Sequence, residues 1–418
     1  MIIRDGTHNI KLLLLAYFKA PQKGFAAFKK MPPRMKVFIL ASLPSSLVNF
    51  RGALILSLLD AGHQVEVAAP GLTKDKGSAQ WLNARGVICH DIKLSRTGLN
   101  PLSDLWSLIL LSRLLRAQKP DIFLGYTIKP VIWGLFAARL AHVPKRIALM
   151  TGLGYAFTGQ HRGKRGLIQW VARRLYSKAL QFADLAFFQN PDDQADFSRL
   201  GLLPVTCESM VLQGSGVDLA TFTPAPFPND KIRFLMIARL LGDKGLREYA
   251  TAAQQLSHRN PMVEFHLIGG TDCNPDSVPL AEIQSWQAAG FIHWDGAVQD
   301  VRPAIAAAHV YVLPSYREGM PRSVLEAMAM GRPIITTFAP GCRETIVDGE
   351  SGFLIPIRNS KALIQAMQRF IDSPDLIPTF GAKARLRAIE IFDVHAINHA
   401  MLSALGLARE RKAQDPDQ

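Results

Sequence analysis

Two glutamates, Glu318 and Glu326, flank a turn that leads from a buried strand into a helix within residues 314–331. Pro321 suits the first helical position, where its missing N–H costs nothing, and Gly331 can end the helix. Carboxylates accept hydrogen bonds from paired hydroxyls, so we expect Glu318 to reach a sugar and Glu326 a ribose. Stabilisation of the helix dipole would explain one acid at this place, but not both.

The start of this helix offers a site for a phosphate. We expect the backbone N–H groups of Met320, Arg322 and Ser323 to lack partners inside the helix. Such groups bind anions, because the helix dipole adds to their hydrogen bonds. The turn therefore combines an anion site with two hydrogen-bonding acids.

Two cations, Arg239 and Lys244, follow the first strand of the second half of the chain and precede a helix. An arginine with a lysine can balance the charge that develops on a leaving diphosphate without a metal. The alternative is that Arg239 and Lys244 are solvent-exposed loop cations without a ligand. This alternative is less favoured when they are considered together with Glu318 and Glu326.

Strands that alternate with helices must position these groups, and such alternation predicts parallel sheets covered by helices on both faces. Ligands bind at the carboxyl ends of such strands, so two domains of this kind place the expected site in the cleft between them. We predict a helix at 49–61 and strands at 36–40, 64–69, 122–125, 147–150, 185–189, 234–237, 263–268, 291–294, 310–313 and 334–337.

The length of 418 residues also predicts two domains, since one hydrophobic core rarely serves more than about 250–300 residues. Glycines and prolines at 214–228 interrupt the alternation, and we place the domain boundary there. The expected division is a basic extension at 1–34, a first Rossmann-like domain at 35–214, a second at 215–385, and a C-terminal helix and tail at 386–418.

Positive charge is concentrated in the first half of the chain. Residues 1–214 contain 28 Lys and Arg against 12 Asp and Glu, a net +16, whereas the remainder carries −2. Such asymmetry indicates an anionic partner, which could be lipid head groups, a diphosphate-bearing acceptor or nucleic acid. Solvated cations without any partner are the alternative.

Two basic stretches contain apolar side chains, residues 1–34 and the helical stretch 170–178. This composition is typical of segments that lie on an anionic membrane. No apolar run approaches the roughly 18–20 residues that span a bilayer, and the four cysteines form no C-x-x-C pair. We therefore expect a cytoplasmic protein bound peripherally to the inner face of the membrane. The alternative for residues 1–34, which is equally favoured, is that the natural protein starts at Met35. The alternative for residues 170–178 is a surface helix packed on the core.

The chain closely resembles the family 4 glycosyltransferases from Met35 to about Ala400. The resemblance rests on 238–245, on the spacing of Glu318 and Glu326, and on 341–354. It implies an α/β protein of the GT-B type, in which two Rossmann-like doubly wound domains face each other across a cleft. It also implies a nucleotide-sugar donor, retention of anomeric configuration, and neither a metal nor another cofactor.

The resemblance assigns roles to individual positions. Arg239 and Lys244 would hold the diphosphate, Glu326 the ribose and Glu318 the donor sugar, which makes Glu318, Arg239 and Lys244 the implied catalytic residues. The segment 295–298 would meet the base through its backbone. The remaining implied donor contacts are Gly296, Val298, Gly319, Met320, Pro321 and Arg322.

The first domain resembles the branch that acts on polyprenyl-diphosphate-linked sugars, through Ser95-Arg96, 99–102, 127–130 and 152–155. Thr151 stands where close relatives are expected to have a glutamate, which leaves the identity of the acceptor open. The candidate residues for the acceptor or the membrane are Lys129, Arg162, Arg173 and Arg174.

The expected reaction moves a hexose or N-acetylhexosamine from a nucleotide sugar, with UDP the expected nucleotide, to a lipid-linked saccharide. Such a reaction would serve the synthesis of cell-surface polysaccharide, O-antigen or glycoprotein glycan. The alternative is a basic nucleic-acid- or lipid-binding protein without transferase activity. A nucleic-acid binder would combine basic patches with stacking aromatics and would have no use for the two glutamates, so we expect no nucleic-acid partner.

Overall fold

Short runs of buried apolar residues form two parallel sheets in a computed structural model of the chain. The structure describes residues 34–95, 101–152, 164–272, 274 and 276–408, apart from the side chains of 101, 164, 165, 167 and 168. Residues 1–33 of the predicted basic extension therefore lie outside the described residues. So do Arg96, residues 153–155 and Arg162.

The first sheet has seven parallel strands in the order β3-β2-β1-β4-β5-β6-β7. Strand β1 pairs with β2 on one side and β4 on the other, so the order reverses between β1 and β4. The strands are β1 Lys36–Leu40, β2 Gln64–Ala69, β3 Ile88–Asp91, β4 Ile122–Tyr126, β5 Lys145–Leu149, β6 Leu185–Phe188 and β7 Glu208–Val211.

The second sheet has six parallel strands in the order β10-β9-β8-β11-β12-β13, and its order reverses between β8 and β11. Ligands of doubly wound proteins bind beside such a reversal, at the carboxyl ends of the strands. The strands are β8 Ile232–Ile237, β9 Val263–Ile268, β10 His293–Trp294, β11 Val310–Leu313, β12 Ile334–Thr337 and β13 Gly352–Ile355.

Helices connect most successive strands, because parallel neighbours need a crossover connection. The first domain contains α1 Pro44–Asp60, α2 Lys76–Asn83, α3 Pro101–Gln118, α4 Ile128–Leu140, α5 Lys164–Leu180 and α6 Pro191–Arg199. The later part of the chain contains a 3₁₀ turn at Gly242–Lys244, α7 Leu246–Arg259, α8 Leu280–Ala288, α9 Arg302–Ala307, α10 Arg322–Ala329, α11 Ser360–Asp372, α12 Leu376–Ile391 and α13 Val394–Leu405.

Five predicted strands have the predicted bounds, and the other five differ by one to two residues at an end. Three strands were not predicted, β3, β7 and β13, and each is the outermost strand of its sheet. Helix α1 begins five residues earlier than predicted, because Pro44 occupies its first turn and starts it there.

The last helix, α13, returns to the first domain. Ile397, Met401, Leu402 and Leu405 belong to the same buried cluster as apolar residues of β1, β2 and α1. The side chain of Lys145 donates to the carbonyl of Leu405 over 2.8 Å and so ties the end of the helix to β5. Within the described residues, no helix combines the length and apolar character needed to cross a membrane.

Candidate active site

Lys244 and Glu318 meet where the second sheet reverses its strand order. Lys244 lies in the turn after β8, and Glu318 lies in the loop between β11 and α10. These two strands are neighbours, so both loops leave the same edge of the sheet. Lys244 Nζ lies 2.7 Å from Glu318 Oε1, although the residues are 74 positions apart in the chain.

The ion pair is nearly enclosed, since the side chains of Lys244 and Glu318 are only 13% and 17% exposed. Buried Ser315 donates a second hydrogen bond to the same carboxylate oxygen, over 2.8 Å. Burial by itself lowers the pKa of Lys244, but Glu318 and Asp243 outweigh it, so the pKa of this ammonium group lies above its ordinary value. Lys244 therefore supplies a permanent positive charge in a largely dry place. Ser315 was not among the site residues predicted from the sequence.

Arg239 supplies a second cation at the same edge, in the loop that follows β8. Its guanidinium lies 2.7 Å from Asp272, and its side chain is about half exposed at 52%. It is close enough to Lys244 to oppose the protonation of that group. Among the described residues, no three His, Cys, Asp or Glu side chains are grouped as metal ligands would be.

Helix α10 begins one residue later than predicted. Pro321 is the N-cap and not the first helical residue, because its φ of −74° and ψ of 104° are those of extended backbone. Its carbonyl accepts from the N–H groups of Val324 and Leu325. No side chain caps this helix, whose amino terminus follows the loop of Glu318 directly in the chain.

Glu326 lies inside α10 and is 8% exposed. Its carboxylate lies 2.8 Å from Arg322 Nε, one turn earlier in the helix. Burial raises the pKa of Glu326 above its usual range, against the opposing effect of Arg322. The Arg322 guanidinium also lies 5.3 Å from the ring centre of Phe50, on α1 of the first domain. Arg322 thus connects Glu326 with the opposite side of the cleft.

The segment predicted to meet a base lies at the ends of β9 and β10. The carbonyl of Gly296 accepts from the N–H of Gly269 over 2.7 Å, and the indole of Trp294 donates to the carbonyl of Gly269. Val298 is 38% exposed beside this turn. A cavity of about 570 Å³ adjoins Gly296, lined also by Gln284, Gln287, Ala288, Trp294 and Asp295.

The backbone of Gly319 is packed directly against the first domain. A Cβ atom at this position would lie 2.4 Å from the carbonyl oxygen of Thr151, so only glycine fits. Met320 is buried beside it, at 8% exposure. The buried Asn190 of the first domain also contacts this loop, and the sequence analysis did not identify it.

Three of the four candidates for the acceptor or the membrane, Lys129, Arg173 and Arg174, lie among the described residues of the first domain. Lys129 is buried, and its Nζ lies 2.9 Å from Asp104 Oδ1 and 2.7 Å from Ser95 Oγ. Arg173 is half-buried, whereas Arg174 is exposed.

Helix α5 packs on the core through Leu175 and buried Tyr176, as the predicted alternative has it, whereas Trp170 on the same helix is 56% exposed. The guanidinium of Arg174 lies 5.5 Å from the ring centre of Trp170. Arg162 is outside the described residues.

Two family models match the two halves of the chain. The model described as "Glycosyl transferase 4-like" matches residues 36–190, and the model "Glycosyl transferases group 1" matches residues 231–373. The first covers most of the seven-stranded domain, and the second covers the whole second sheet with the ion pair and α10.

Two curated relatives are similar over most of their length. The N,N'-diacetylbacillosaminyl-diphospho-undecaprenol alpha-1,3-N-acetylgalactosaminyltransferase of Campylobacter jejuni is 30% identical over 370 residues, which cover 85% of this chain and 94% of that protein. The UDP-Gal:alpha-D-GlcNAc-diphosphoundecaprenol alpha-1,3-galactosyltransferase of Escherichia coli is 27% identical and is covered to 73%, with 68% of this chain aligned.

Solved structures of glycosyltransferases share the fold. Sucrose-phosphate synthase from Thermosynechococcus elongatus superposes with a TM-score of 0.74 at 19% identity, covering 89% of this chain and 98% of that one. Anabaena HepE in complex with UDP-glucose superposes with a TM-score of 0.71 at 20% identity, covering 89% and 100%. With the fold, both family models and the Campylobacter relative in agreement, the chain is a glycosyltransferase and belongs to the GT-B enzymes of family 4.

Proposed function

We propose that the protein transfers a hexose or N-acetylhexosamine, with retention of configuration, from a UDP-sugar to a polyprenyl-diphosphate-linked saccharide. Such a step belongs to the synthesis of cell-surface polysaccharide, O-antigen or glycoprotein glycan. The observation that carries the proposal is the enclosed pair of Lys244 and Glu318 beside the uncapped start of α10. A binding protein without transferase activity is not favoured, because the chain belongs to a transferase family.

The proposed roles follow from charge and position. Breaking the bond between the anomeric carbon and the diphosphate leaves negative charge on UDP, which Lys244, Arg239 and the start of α10 stabilise. Glu318 accepts hydrogen bonds from the donor sugar and Glu326 from the ribose. The acceptor hydroxyl forms its new bond on the face that the diphosphate leaves.

The substrates are proposed by analogy with the curated relatives. The names of both relatives include a diphospho-undecaprenol acceptor, and that of the Escherichia coli protein includes UDP-Gal. Neither name fixes the sugar here, because one hydroxyl's orientation depends on a few contacts of the pocket.

A substrate panel tests the proposal. UDP-, GDP- and ADP-sugars are each incubated with undecaprenyl-diphosphate saccharides, and the products are analysed by mass and by the anomeric coupling in NMR. We expect transfer from a UDP-sugar with the α configuration of the donor preserved. Inversion of the linkage would contradict retention, and transfer only from GDP- or ADP-sugars would contradict the proposed donor.

We further propose that the protein is cytoplasmic and attaches peripherally to the inner membrane through its first domain. Helix α5 presents exposed Trp170 next to Arg174. Helix α3, which like α5 packs against α4, exposes Leu102, Leu105 and Trp106, with Leu102 81% exposed. Exposed tryptophans beside cations suit the boundary between head groups and acyl chains, and each cation contributes about 1 kcal/mol near an anionic surface.

Co-sedimentation with liposomes tests the attachment. We expect the protein to pellet with vesicles containing phosphatidylserine at low salt and to be partly released at high salt. Arg174→Glu should weaken pelleting, whereas Arg259→Glu, an exposed arginine of the second domain, should not. Protein that stays in the supernatant with anionic vesicles at low salt contradicts this proposal.

A further inference from the structure

Asn190 of the first domain connects two elements through one side chain. It is fully buried at the start of α6, where its Oδ1 accepts from the N–H of Asp193 over 2.8 Å and caps the helix. Its Nδ2 donates to the carbonyl of Gly319 over 2.8 Å and approaches that of Glu318 at 3.3 Å. The amide oxygen therefore serves its own domain, and the amide nitrogen holds the loop of the other domain.

Ion pairs reinforce this contact on both sides. Arg317, next to Glu318, lies 2.6 Å from Asp193 Oδ1 and 2.7 Å from Asp196 Oδ2. The side chain of Asp193 is 1% exposed, so this pair is shielded from water and salt. Arg343 pairs with Asp192 on the first turn of the same helix. Helix α6 thus binds two arginines of the second domain through three aspartates.

The backbone of Glu318 and Gly319 has little conformational freedom. The N–H of Glu318 donates to the carbonyl of Pro340 over 3.0 Å. A Cβ atom at Gly341 would lie 2.2 Å from the carbonyl oxygen of Glu318, and one at Gly319 would lie 2.7 Å from Gln189 Oε1. Loops from both domains therefore enclose this stretch of backbone, and the buried side chain of Asn190 hydrogen-bonds the carbonyls of Glu318 and Gly319.

We propose that Asn190, supported by Asp193 and Arg317, is a positioning residue that aligns Glu318 with Lys244 and with the donor sugar. The inference rests on the proposed function, because it takes Glu318 as the group that contacts the sugar. Its consequence is that the first domain, which faces the acceptor, also sets the geometry of donor-sugar binding. Separation of the two domains would break these contacts and release the loop that contains Glu318.

Asn190→Ser is the principal test. Serine still caps α6, but its hydroxyl is too short to reach both carbonyls of the loop. We expect kcat to fall roughly 10- to 100-fold, because small misplacements of a positioning group have effects of this size. The affinity for UDP should stay unchanged, whereas the preference for UDP-sugar over UDP should fall. A change that is only structural would lower the affinity for UDP and for UDP-sugar together.

Gln194→Ser is the matched control, because it makes the same change on the same helix at a side chain that bonds Ser209 within the first domain. It should behave as the wild type. Unchanged kcat together with an unchanged preference for UDP-sugar in Asn190→Ser overturns the proposal. Asp193→Asn, which keeps the backbone cap and removes the charge facing Arg317, is the second variant if serine prevents folding, and a roughly tenfold lower kcat is expected.

Hydrogen exchange separates this inference from the proposed function. In the wild type, the amides of residues 317–320 should exchange slowly, and Asn190→Ser should accelerate them while Gln194→Ser does not. Equal exchange in all three proteins overturns the role of Asn190, whatever the substrate is. If the wild type uses no UDP-sugar, the proposed function fails, and the exchange comparison still decides the role of Asn190.

Discussion

The positive charge at the proposed diphosphate site comes from two residues with different surroundings. Lys244 is enclosed and paired with Glu318, whereas Arg239 is half exposed and paired with Asp272. A fixed charge in a water-poor place needs no reorganisation when the leaving group becomes negative. We therefore expect Lys244 to contribute more than Arg239 to stabilising the leaving diphosphate. Arg239 can turn toward the ligand from the surface.

Removal of either cation should lower turnover. We expect Lys244→Ala to reduce kcat about 10²–10³-fold, as the loss of a preorganised charge at a transition state does, and Arg239→Ala to reduce it less. The assay is transfer from the donor that the panel identifies, with circular dichroism as the check on folding. Lys231→Ala and Arg247→Ala, which remove cations paired with Glu264 and Glu282 on the surface of the same domain, are the controls. Wild-type turnover in both site variants would rule out the diphosphate assignment.

Chelation should leave activity intact, because Lys244 and Arg239 provide the positive charge that a divalent ion would otherwise bring to the diphosphate. The measurement is the initial rate of transfer before and after dialysis against EDTA. Loss of activity that Mn²⁺ or Mg²⁺ restores would show that the two cations are insufficient.

At the scale of elements, His309 lies just before β11. Its ring is hydrogen-bonded to β8 and to the segment that precedes β8. Its Nδ1 accepts from the backbone N–H of Arg233 over 3.1 Å, so its Nε2 must carry the proton that is donated to the carbonyl of Pro228. Burial lowers the pKa of His309 below its ordinary value, and Arg233 and Arg332 act in the same direction against the bond to Pro228. The folded protein therefore holds this ring neutral.

The free energy of unfolding should consequently fall as the pH drops below about 6.5, the ordinary pKa of histidine. The unfolded state binds the proton more readily than the folded state, so stability is complete above that pH and declines through the lower folded pKa, by up to about 1.4 kcal/mol per pH unit. His309→Gln can keep the hydrogen bond to the carbonyl of Pro228 without titrating and should flatten this dependence in urea unfolding between pH 5 and 7.5. His258→Gln, an exposed histidine on α7, should leave the slope unchanged, and an equal slope in the His309 variant would contradict the argument.

At the scale of the molecule, the chain crosses between its two domains twice. It leaves the first sheet after β7 and returns as α13, which covers α1 and part of the first core. The backbone of Val217 bonds Phe392 and Val394, so the two crossings lie side by side. The first domain is therefore completed by the last described helix, α13, and its stability depends on residues far away in sequence.

Leu402→Ala tests this dependence. Leu402 is 4% exposed within the core of the first domain, and truncation of such a side chain costs about 2–5 kcal/mol of unfolding free energy. Leu386→Ala, on α12 and 58% exposed, should change stability by less than about 0.5 kcal/mol. Urea unfolding followed by circular dichroism measures both variants. Equal stability of both variants would mean that α13 is not part of the core.

The sequence alone determined the central strands and the chemical groups of the site. Strands such as Val310–Leu313 are buried on both faces, so they appear as continuous apolar runs. The strands Ile88–Asp91 and Glu208–Val211 lie at sheet edges and are partly exposed, which leaves too little apolar pattern to detect. The types and spacing of Lys244, Glu318 and Glu326 indicated the chemistry in the same way, because these residues follow recognisable strands.

Only the tertiary structure decided which of these groups touch. Lys244 and Glu318 pair because β8 and β11 are neighbours at the reversal of strand order, and a linear pattern does not specify the order of parallel strands. Asn190 lies 129 positions from Gly319, and at sequence level it is only a helix cap. Its second bond exists because the two domains meet at α6, a contact that depends on how two separately folded sheets pack and that no local pattern of residues encodes.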